Sequence, residues 1–535
     1  MWPQNYTPVG HSLPLSALAA SAPVFTLLFL LGVRRQPAWR ASLAGLAVAV
    51  VVAAWAYGMP VGRLCSAAVF GAAFGLWPIG WVVFTAILLY RITVESGRFD
   101  LLKDSIARLT TDPRMQVLLI AFAFGAFIEG AAGFGTPVAV AATMLVGLGF
   151  SPFYAAGICL LANTAPVAFG SIAIPITTLA ITTGLPIDRL SAAVGRICAP
   201  VSLIIPAYLI VVMVGWKGLR TVFPAVAVCG VAFAGMQFAV SNFINPQLTD
   251  ILSSLTAMSA LVLLCQFWTP RDAPRMTGGG PSLVSGQVMR AWGPYVLLVV
   301  FVLLWSYRPW QATLKTTDLL LPWPGLHNTI ERMPPVAAQP SSYAALYSFS
   351  WLSSSGTACL LAAVLGSLLA GLPPRRLLQT VAHTARQLAL AELTLAAVLA
   401  TAFVMNYSGA TGTLGLAFAA TGASFPFFSA LLGWLGVFLT GSDTSSNALF
   451  GTLQAVTAGQ LGMNPVLMAA ANSAGGVMGK MISLTSIAVA AAATSMKPEE
   501  ESRLFRFTFK HSLLLAAMIG LVVMFYAYVA PQWAP

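Results

Sequence analysis

Five ionisable side chains stand inside stretches of sequence that are otherwise apolar: Glu129, Arg196, Glu392, Asp443 and Lys480. A charge in apolar surroundings is costly, so residues of this kind usually have a function. A carboxyl group that is shielded from water can bind and release a proton, and we expect Glu129 and Asp443 to be the proton-binding groups. Lys480 supplies a positive charge that suits an anionic ligand, although neutralising Asp443 is an equally good interpretation.

Both carboxylates also have a structural interpretation. Asp443 comes just before a run of small polar residues and could cap the helix that follows it. Glu129 could form an ion pair with Arg196 or Lys480. The sequence leaves these alternatives open.

Glu392 and Arg196 stand nearer the ends of their apolar stretches. Long side chains in such positions extend along the helix and place their charged ends in polar surroundings. For Glu392 we therefore favour an extended side chain that reaches Arg386 or Gln387 over a direct functional role. Both residues are secondary candidates.

Neutral polar residues and glycines accompany these charges and offer hydrogen bonds without a fixed charge. They suit a small polar ligand, but they could equally satisfy backbone groups that are freed where helices break. The predicted ligand-binding set, in addition to Lys480, is Asn163, Thr164, Ser171, Asn472, Ser473, Gly441, Ser442, Thr444 and Ser445.

The composition identifies a membrane protein rather than a soluble one. Of 535 residues, 58% are hydrophobic and 8% are charged, whereas about a quarter are charged in soluble domains. We expect no nucleic-acid partner despite the net charge of +12, because the basic residues gather in loops beside a membrane. The predicted spans, each able to cross a hydrocarbon core of ~30 Å, are 12–33, 41–57, 64–90, 190–214, 220–240, 249–268, 291–307, 350–371, 387–406 and 512–530.

The basic residues predict how the chain is oriented. Twenty of the 27 fall in alternate loops, and five fall in the loops between them. Because cytoplasmic loops carry the excess of Lys and Arg, both termini are predicted to be outside. The long outer loop 308–349 is either an ordered cap or a flexible lid. The basic-rich loops are 34–40, 91–114, 215–220, 269–290, 375–386 and 497–510.

Two broken regions, 115–182 and 424–495, resemble each other and predict an inverted repeat. Each has a polar, glycine-containing tip, at 129–136 and 441–447, followed by an Asn-to-Gly segment of equal spacing, at 163–170 and 472–479. Each copy is predicted to form a re-entrant hairpin followed by a broken crossing helix, the usual sign of a transporter's binding site. The predicted division is scaffold 1–114, first transport repeat 115–214, central scaffold 215–371, second transport repeat 372–496 and a last loop and span 497–535.

These motifs resemble the lactate permease family of bacterial secondary transporters. The matching stretches are 129–137 (EGAAGFGTP), 163–170 (NTAPVAFG), 441–451 (GSDTSSNALFG) and 472–483 (NSAGGVMGKMIS). The resemblance implies proton-coupled uptake of L-lactate, glycolate and related 2-hydroxymonocarboxylates across a bacterial inner membrane. It also implies kinship with ion transporters that use paired hairpins and an elevator-like motion.

One departure and two alternatives accompany this resemblance. After Ser483 the family pattern has Pro-Gln-Ser, and this chain has Leu484, Thr485 and Ser486, which bears on substrate preference. A sodium-coupled carboxylate transporter of the same architecture is one alternative. An integral membrane enzyme is the other alternative, but none of the four histidines begins an HxxxxD motif. We expect no cofactor and no metal, and we expect membrane lipid to surround the protein. The oligomeric state is left open, with a homodimer as one option.

Overall fold

The computed structural model describes residues 1–133, 135–270 and 285–534, so most of the predicted loop 269–290 lies outside the described residues. Within those ranges, ten helices are long and apolar enough to cross a membrane, or twelve if each of two bent helix pairs forms one span. The predicted all-helical, multi-pass membrane fold is confirmed.

The N-terminal helices follow the apolar stretches with one break that the sequence prediction missed. The predicted span 64–90 is two helices separated by Gly75–Gly80. This segment is π-helical except at Trp77, which is extended with φ −143° and ψ 125°. Proline disfavours a helical conformation at the residue before it, and Pro78 follows Trp77. The helices are α1 (Leu13–Gly32), α2 (Ala38–Trp55), α3 (Val61–Phe74), α4 (Trp81–Glu95) and α5 (Arg98–Ala107).

The first broken region forms a helical hairpin followed by a bent helix pair, as predicted. The hairpin's first arm runs without interruption over Pro113–Ala131, and its second arm begins at Thr136. The pair that follows is bent by 65°. The helices are α6 (Pro113–Gln116), α7 (Gly125–Ala131), α8 (Thr136–Gly147), α9 (Pro152–Ala162) and α10 (Gly170–Thr183), with the π-helical Val117–Phe124 between α6 and α7.

The middle of the chain contains the longest helical element. The predicted spans 190–214 and 220–240 form α11 (Ile187–Phe243), which turns at Gly215, where φ is 72°. Next come α12 (Thr249–Phe267), α13 (Ser285–Ser306), α14 (Arg308–Lys315) and α15 (Ser355–Leu369). The predicted span 350–371 is too long, because α15 has 15 residues and therefore reaches only about 22 Å.

The segment 308–349 is an ordered cap, which decides between the two predicted alternatives. It contains α14 and four strands, and one of them pairs with the N-terminal strand in a three-stranded sheet of order β1-β3-β4, beside a β2-β5 pair. Trp323 donates to the Ser66 carbonyl on α3 at 3.1 Å, which fastens the cap to the helices. The strands are β1 (Trp2–Pro3), β2 (Leu319–Pro322), β3 (Ile330–Arg332), β4 (Ser341–Ser342) and β5 (Leu346–Phe349).

The second broken region repeats the hairpin and the bent pair. Before the second hairpin lies a short helix, Ala410–Phe418, whose first residues are buried because it packs against α1 and a hairpin arm. The second bent pair turns by 43°. The helices are α16 (Pro374–Ser408), α17 (Ala410–Phe418), α18 (Phe425–Thr440), α19 (Asp443–Gln460), α20 (Pro465–Gly479), α21 (Leu484–Ala493) and α22 (Pro498–Met524).

The two repeats pack against each other in a reciprocal way. The second arm of the first hairpin, α8, contacts α21 of the second bent pair, and the second arm of the second hairpin, α19, contacts α10 of the first. This exchange of equivalent elements is what two copies related by a pseudo-two-fold axis would show. It brings both hairpin tips and both helix breaks to one place.

Candidate functional site

A small cavity of about 220 Å³ lies where the hairpin tips meet the helix breaks. We call it the tip cavity. The first repeat lines it with Glu129, Gly135, Val167, Gly170, Ser171, Ile174 and Pro175, and the second with Thr440, Gly441, Ser442, Asp443, Thr444, Lys480, Thr485, Ser486 and Val489.

The break in α10 forms one wall of the tip cavity, and its backbone adopts an uncommon conformation. Ser171, Ile172 and Ala173 have φ of 46°, 59° and 57°, in the left-handed region that side chains disfavour by about 1–2 kcal/mol per residue. The Ser171 hydroxyl donates to the Ala132 carbonyl at the first hairpin tip at 2.8 Å. Strain of this kind is held at functional sites by the surrounding structure, so the break marks the cavity as a built site.

The second hairpin turns into the cavity at Gly441 and Ser442. Gly441 ends α18 with φ 73°, which glycine adopts without strain. The Ser442 hydroxyl accepts a hydrogen bond from the Ser445 backbone N–H at 3.2 Å. Ser442 is therefore the cap of α19, and the interpretation of Asp443 as the cap is wrong.

Asp443 lines the cavity, and one oxygen of its carboxyl group binds polar residues behind the cavity wall. Its Oδ2 accepts hydrogen bonds from the Ser473 hydroxyl at 2.6 Å and from the Asn447 amide at 3.3 Å. Its Oδ1 is buried and has no hydrogen-bond partner among the described residues. One oxygen is thus held in place while the other remains available for a proton.

Lys480 reaches the same tip from the end of α20. Its amine donates to the Gly441 carbonyl at 2.6 Å, and in the part of the chain that the structure describes it forms no ion pair within 4.0 Å. Its charge nevertheless attracts Glu129 and Asp443 through space. Since an ammonium group has three donors, two remain to bind an anion in the cavity.

Glu129 packs between the first hairpin tip and the break that faces it. A methyl group on Gly170 would lie 2.6 Å from its Oε1, so the carboxyl group touches the backbone of the break. Its Oε2 is buried and accepts no hydrogen bond from any described residue. The Asn163 amide lies beside this carboxyl group but makes no hydrogen bond with described atoms.

Helix ends add to the positive character of the cavity. The N-cap residues of α8, α19 and α21 are Gly135, Ser442 and Ser483. The first two of these residues, together with Ser486 of α21, line the cavity. Helix N-termini carry partial positive charge and free N–H groups that bind anions. Together with Lys480, they suit a small anion beside two protonatable carboxyl groups.

The structure brings only part of the predicted ligand-binding set into the cavity wall. Ser171, Gly441, Ser442, Thr444 and Lys480 line it, as do Glu129 and Asp443. The remaining predicted ligand residues lie behind the wall: Asn163, Thr164, Ser445, Asn472 and Ser473.

The residues behind the wall mostly satisfy other groups. The Thr164 hydroxyl donates to the Leu161 carbonyl at 2.7 Å. The Asn472 amide donates to Asn447 at 2.9 Å and accepts from Gln454 at 3.1 Å. Sequence spacing cannot tell which side of a bent helix faces the cavity, and here these side chains face the neighbouring helices.

The two secondary candidates lie away from the cavity. Arg196 donates to the Asn242 side chain at 2.8 Å and to the Trp533 carbonyl. Both carboxylate oxygens of Glu392 are buried against Gly80 and have no hydrogen-bond partner in the described ranges. The contact expected between Glu392 and Arg386 or Gln387 is not formed, because neither Glu392 oxygen has a hydrogen-bond partner among the described residues.

Some lining residues were missed or undervalued from the sequence. Thr485 and Ser486 line the cavity at the point where the chain departs from the family pattern, so that departure was the available signal. Asp250 was overlooked altogether, although its side chain is 1% exposed and it interacts electrostatically with Glu129.

A larger cavity of about 680 Å³ lies between the N-terminal segment and the cap. Its lining includes Gln4, Tyr6, Met333 and Gln460, and no charged side chain of a described residue contributes to it. It therefore lacks the charges that an anion would need, and the tip cavity is the better candidate site.

The chain is similar to proteins that are already known. Residues 16–530 match the family model described as L-lactate permease. The chain is similar to an L-lactate permease of Salmonella typhimurium, 45% identical over 100% of both chains, and to glycolate permease GlcA of Escherichia coli, 44% identical over 99% of this chain and 98% of that one. Among solved structures, it resembles the Alcanivorax borkumensis YdaH transporter with a TM-score of 0.44, 15% identity and coverage of 85% of this chain and 86% of that one. The relatives are named permeases, which are transporters and not enzymes, and this chain belongs to the L-lactate permease family.

Proposed function

We propose that the protein is a secondary transporter that carries L-lactate and related 2-hydroxymonocarboxylates, including glycolate and D-lactate, together with protons across a bacterial inner membrane. The observation that carries the proposal is the tip cavity, where Lys480, helix N-termini and two protonatable carboxyl groups face one small space. The names of the relatives, L-lactate permease and glycolate permease, support the substrate class.

The cavity offers a partner for each part of such a substrate. The carboxylate is placed beside Lys480 and the first turns of α19 and α21, where the partial positive charges lie. The 2-hydroxyl group needs a donor or an acceptor, and the hydroxyls of Ser171, Thr444 and Thr485 line the same space. A cavity of only about 220 Å³ suits a small acid better than a bulky one.

Alternating access is proposed to come from movement of the two repeats against the remaining spans. The hairpins and bent pairs pack on one another. α16 packs mainly against α2 and α3, with smaller contacts to α4 and to the hairpin arm α19, and α15 packs against α4 and α13. In this proposal the latter helices stay in place, and the tip cavity travels with the hairpins. α16 then belongs with the static helices, although the sequence placed it in the second transport repeat.

We propose that both termini face outward. The N-terminal strand β1 pairs with β3 of the cap, so these segments lie on one side of the molecule. Lys217 and Arg220 follow the turn at Gly215, in the middle of α11. The two halves of α11 pack back on each other from that turn, so Asn242 lies at the other end of the pair, where Arg196 joins it to Trp533 near the C-terminus. The excess of basic residues on the Gly215 side makes that side cytoplasmic.

The coupling ion is tested with the full-length protein reconstituted in liposomes. We expect L-lactate uptake to rise with an inward proton gradient and to collapse when an uncoupler dissipates it, because Glu129 and Asp443 must be protonated in one half of the cycle. Replacing sodium on both sides should leave uptake unchanged. Uptake that persists without a proton gradient and follows an inward sodium gradient would favour the sodium-coupled alternative instead.

The importance of the second hairpin tip is tested by Gly441→Ala. A Cβ at Gly441 would lie 2.2 Å from the Thr485 hydroxyl, so the tip must shift away from α21 and spoil the cavity. We expect L-lactate exchange to be lost while the protein still reaches the membrane. Gly184→Ala is the matched control, because Gly184 ends α10 with φ 71° and ψ 10°, close to the 73° and 7° of Gly441, but a methyl group added there would have no described atom within 4 Å. Equal loss in both variants would mean that backbone strain, not the cavity, is responsible.

A further inference from the structure

Asp250 is a buried carboxyl group that the proposed mechanism has not used. It lies in the first turn of α12, its side chain is 1% exposed, and neither of its carboxylate oxygens has a hydrogen-bond partner in the described part of the chain. A buried polar group without a partner is unusual and needs an explanation.

Asp250 packs against the hairpin that carries Glu129. A methyl group on Gly130 would lie 2.8 Å from the Asp250 Cβ and 3.1 Å from the Ile251 backbone nitrogen, so only glycine allows α7 and α12 to approach this closely. Glu129 comes immediately before Gly130 in the chain, and its charge acts on Asp250. Two buried carboxyl groups with unsatisfied oxygens therefore flank one helix contact.

The charges around Asp250 do not balance if all the carboxyl groups are ionised. Glu129 on α7 and the Cys198 thiol on α11 interact electrostatically with Asp250, and Asp443 interacts with the same thiol. Among the described residues that act on these carboxyl groups, Lys480 is the cation. An uncompensated buried charge costs several kcal/mol, so this cluster of three acids and one base must hold protons.

Helix capping does not explain Asp250. An acidic residue in a first turn commonly accepts a hydrogen bond from a free backbone N–H and interacts with the helix dipole. Neither Asp250 oxygen accepts such a bond from a described donor. A capping residue would also serve as well in water, whereas this one is enclosed by α7 and α11.

A polar cavity lies near the start of α12, on the side of the molecule that carries the cap. Its volume is about 170 Å³, and Asn245, Gln247, Arg308 and Gln311 contribute to its lining. Asp250 follows Gln247 by three residues, across the short helix Pro246–Leu248. Water in this cavity would bring protons close to the buried acid.

We propose that Asp250 is a proton-relay residue that acts through Glu129, between the polar cavity at Asn245 and Gln247 and the tip cavity. A proton leaves the Asp250 carboxylic acid and reaches the Glu129 carboxylate through a bridging water, because no hydrogen bond joins the two described groups directly. Asp250 is then ionised until it takes up another proton from the polar cavity. No other bond forms or breaks. This inference rests on the proposed proton coupling.

The test uses the full-length protein in liposomes with Asp250→Asn, which keeps the shape but cannot titrate. We expect L-lactate exchange at equal concentrations on both sides to stay within about twofold of the wild type, while net uptake falls at least about tenfold and loses its dependence on outer pH. Asp250→Glu should restore pH-dependent net uptake. Asp100→Asn is the control, since Asp100 is also a first-turn residue but is exposed to solvent.

A wild-type rate and pH profile in Asp250→Asn would overturn the relay. If Asp250→Asn does not reach the membrane, Asp250→Glu decides: a shifted pH profile supports the relay, and an unchanged profile overturns it. Failure of the relay differs from failure of the proposed function, because in the latter case the wild-type protein itself would show no proton-driven lactate uptake.

Discussion

Lys480→Ala should abolish L-lactate binding. The substrate carboxylate is expected beside the Lys480 amine, whose remaining donors are free once the bond to the Gly441 carbonyl is made. Removing one partner of such a buried, hydrogen-bonded charge pair typically lowers affinity by about 2–5 kcal/mol. Binding to the purified protein, measured by calorimetry, checks this expectation.

A conservative variant and a control variant test whether Lys480 acts through its charge and its shape. Lys480→Arg should be partly active, since it keeps the charge but brings a planar, bulkier group to a site fitted to a compact amine. Lys510→Ala, an exposed lysine on α22, should bind normally. Wild-type affinity in Lys480→Ala would refute the role.

A double variant separates substrate binding from mere neutralisation of Asp443. If Lys480 only balanced the Asp443 charge, Lys480→Ala combined with Asp443→Asn would restore binding. We expect the double variant to bind no better than Lys480→Ala alone, because the structure pairs the amine with the Gly441 carbonyl rather than with a carboxylate. Recovery of binding would assign Lys480 a structural role.

The second large effect is expected at the two carboxyl groups that line the tip cavity. Asp443→Asn and Glu129→Gln each keep shape and hydrogen bonding but remove a proton-binding group. The variant that removes the proton carrier should lose uphill L-lactate uptake and keep L-lactate exchange, because exchange requires no net release of protons. Uptake with and without a proton gradient, and exchange at equal concentrations, measure the two activities.

The structure changes the balance between these two candidates. The sequence slightly favours Glu129 because Asp443 could be a helix cap, but Ser442 fills that role. Glu129 and Asp443 each have one buried oxygen without a partner among the described residues, so both variants must be made. Glu499→Gln, at an exposed residue of α22, is the control. If both variants still concentrate L-lactate, neither residue carries the proton.

Local composition was enough to predict the hairpins and bent helices. Gly, Pro, Asn and Ser interrupt 115–182 and 424–495, and those interruptions are where the structure turns. The break at Gly75–Gly80 was missed because it lies inside a long apolar stretch, where Trp77 and Pro78 do not lower the hydrophobicity enough to stand out.

The partners of the site residues depended on packing that sequence does not report. Asp250 stands in the first turn of α12, a position where an acidic residue is usually exposed to water. In the structure, Gly130 of the first hairpin packs against it. Asn472 shares a motif with Lys480, but the helix between them turns its amide toward Asn447 and Gln454. Which face of a bent helix meets the cavity is decided by the neighbouring helices, and these come from distant parts of the chain.

Proton-coupled lactate transport is tested most directly by the lactate ratio at which net flux stops. The full-length protein is reconstituted in liposomes at zero membrane voltage, and the inside-to-outside L-lactate ratio at zero flux is measured as the pH gradient is varied. Proton coupling predicts that this ratio changes about tenfold per pH unit for each coupled proton, which corresponds to about 1.4 kcal/mol, and that sodium gradients do not move it. A zero-flux ratio that stays at one for every pH gradient would contradict proton coupling.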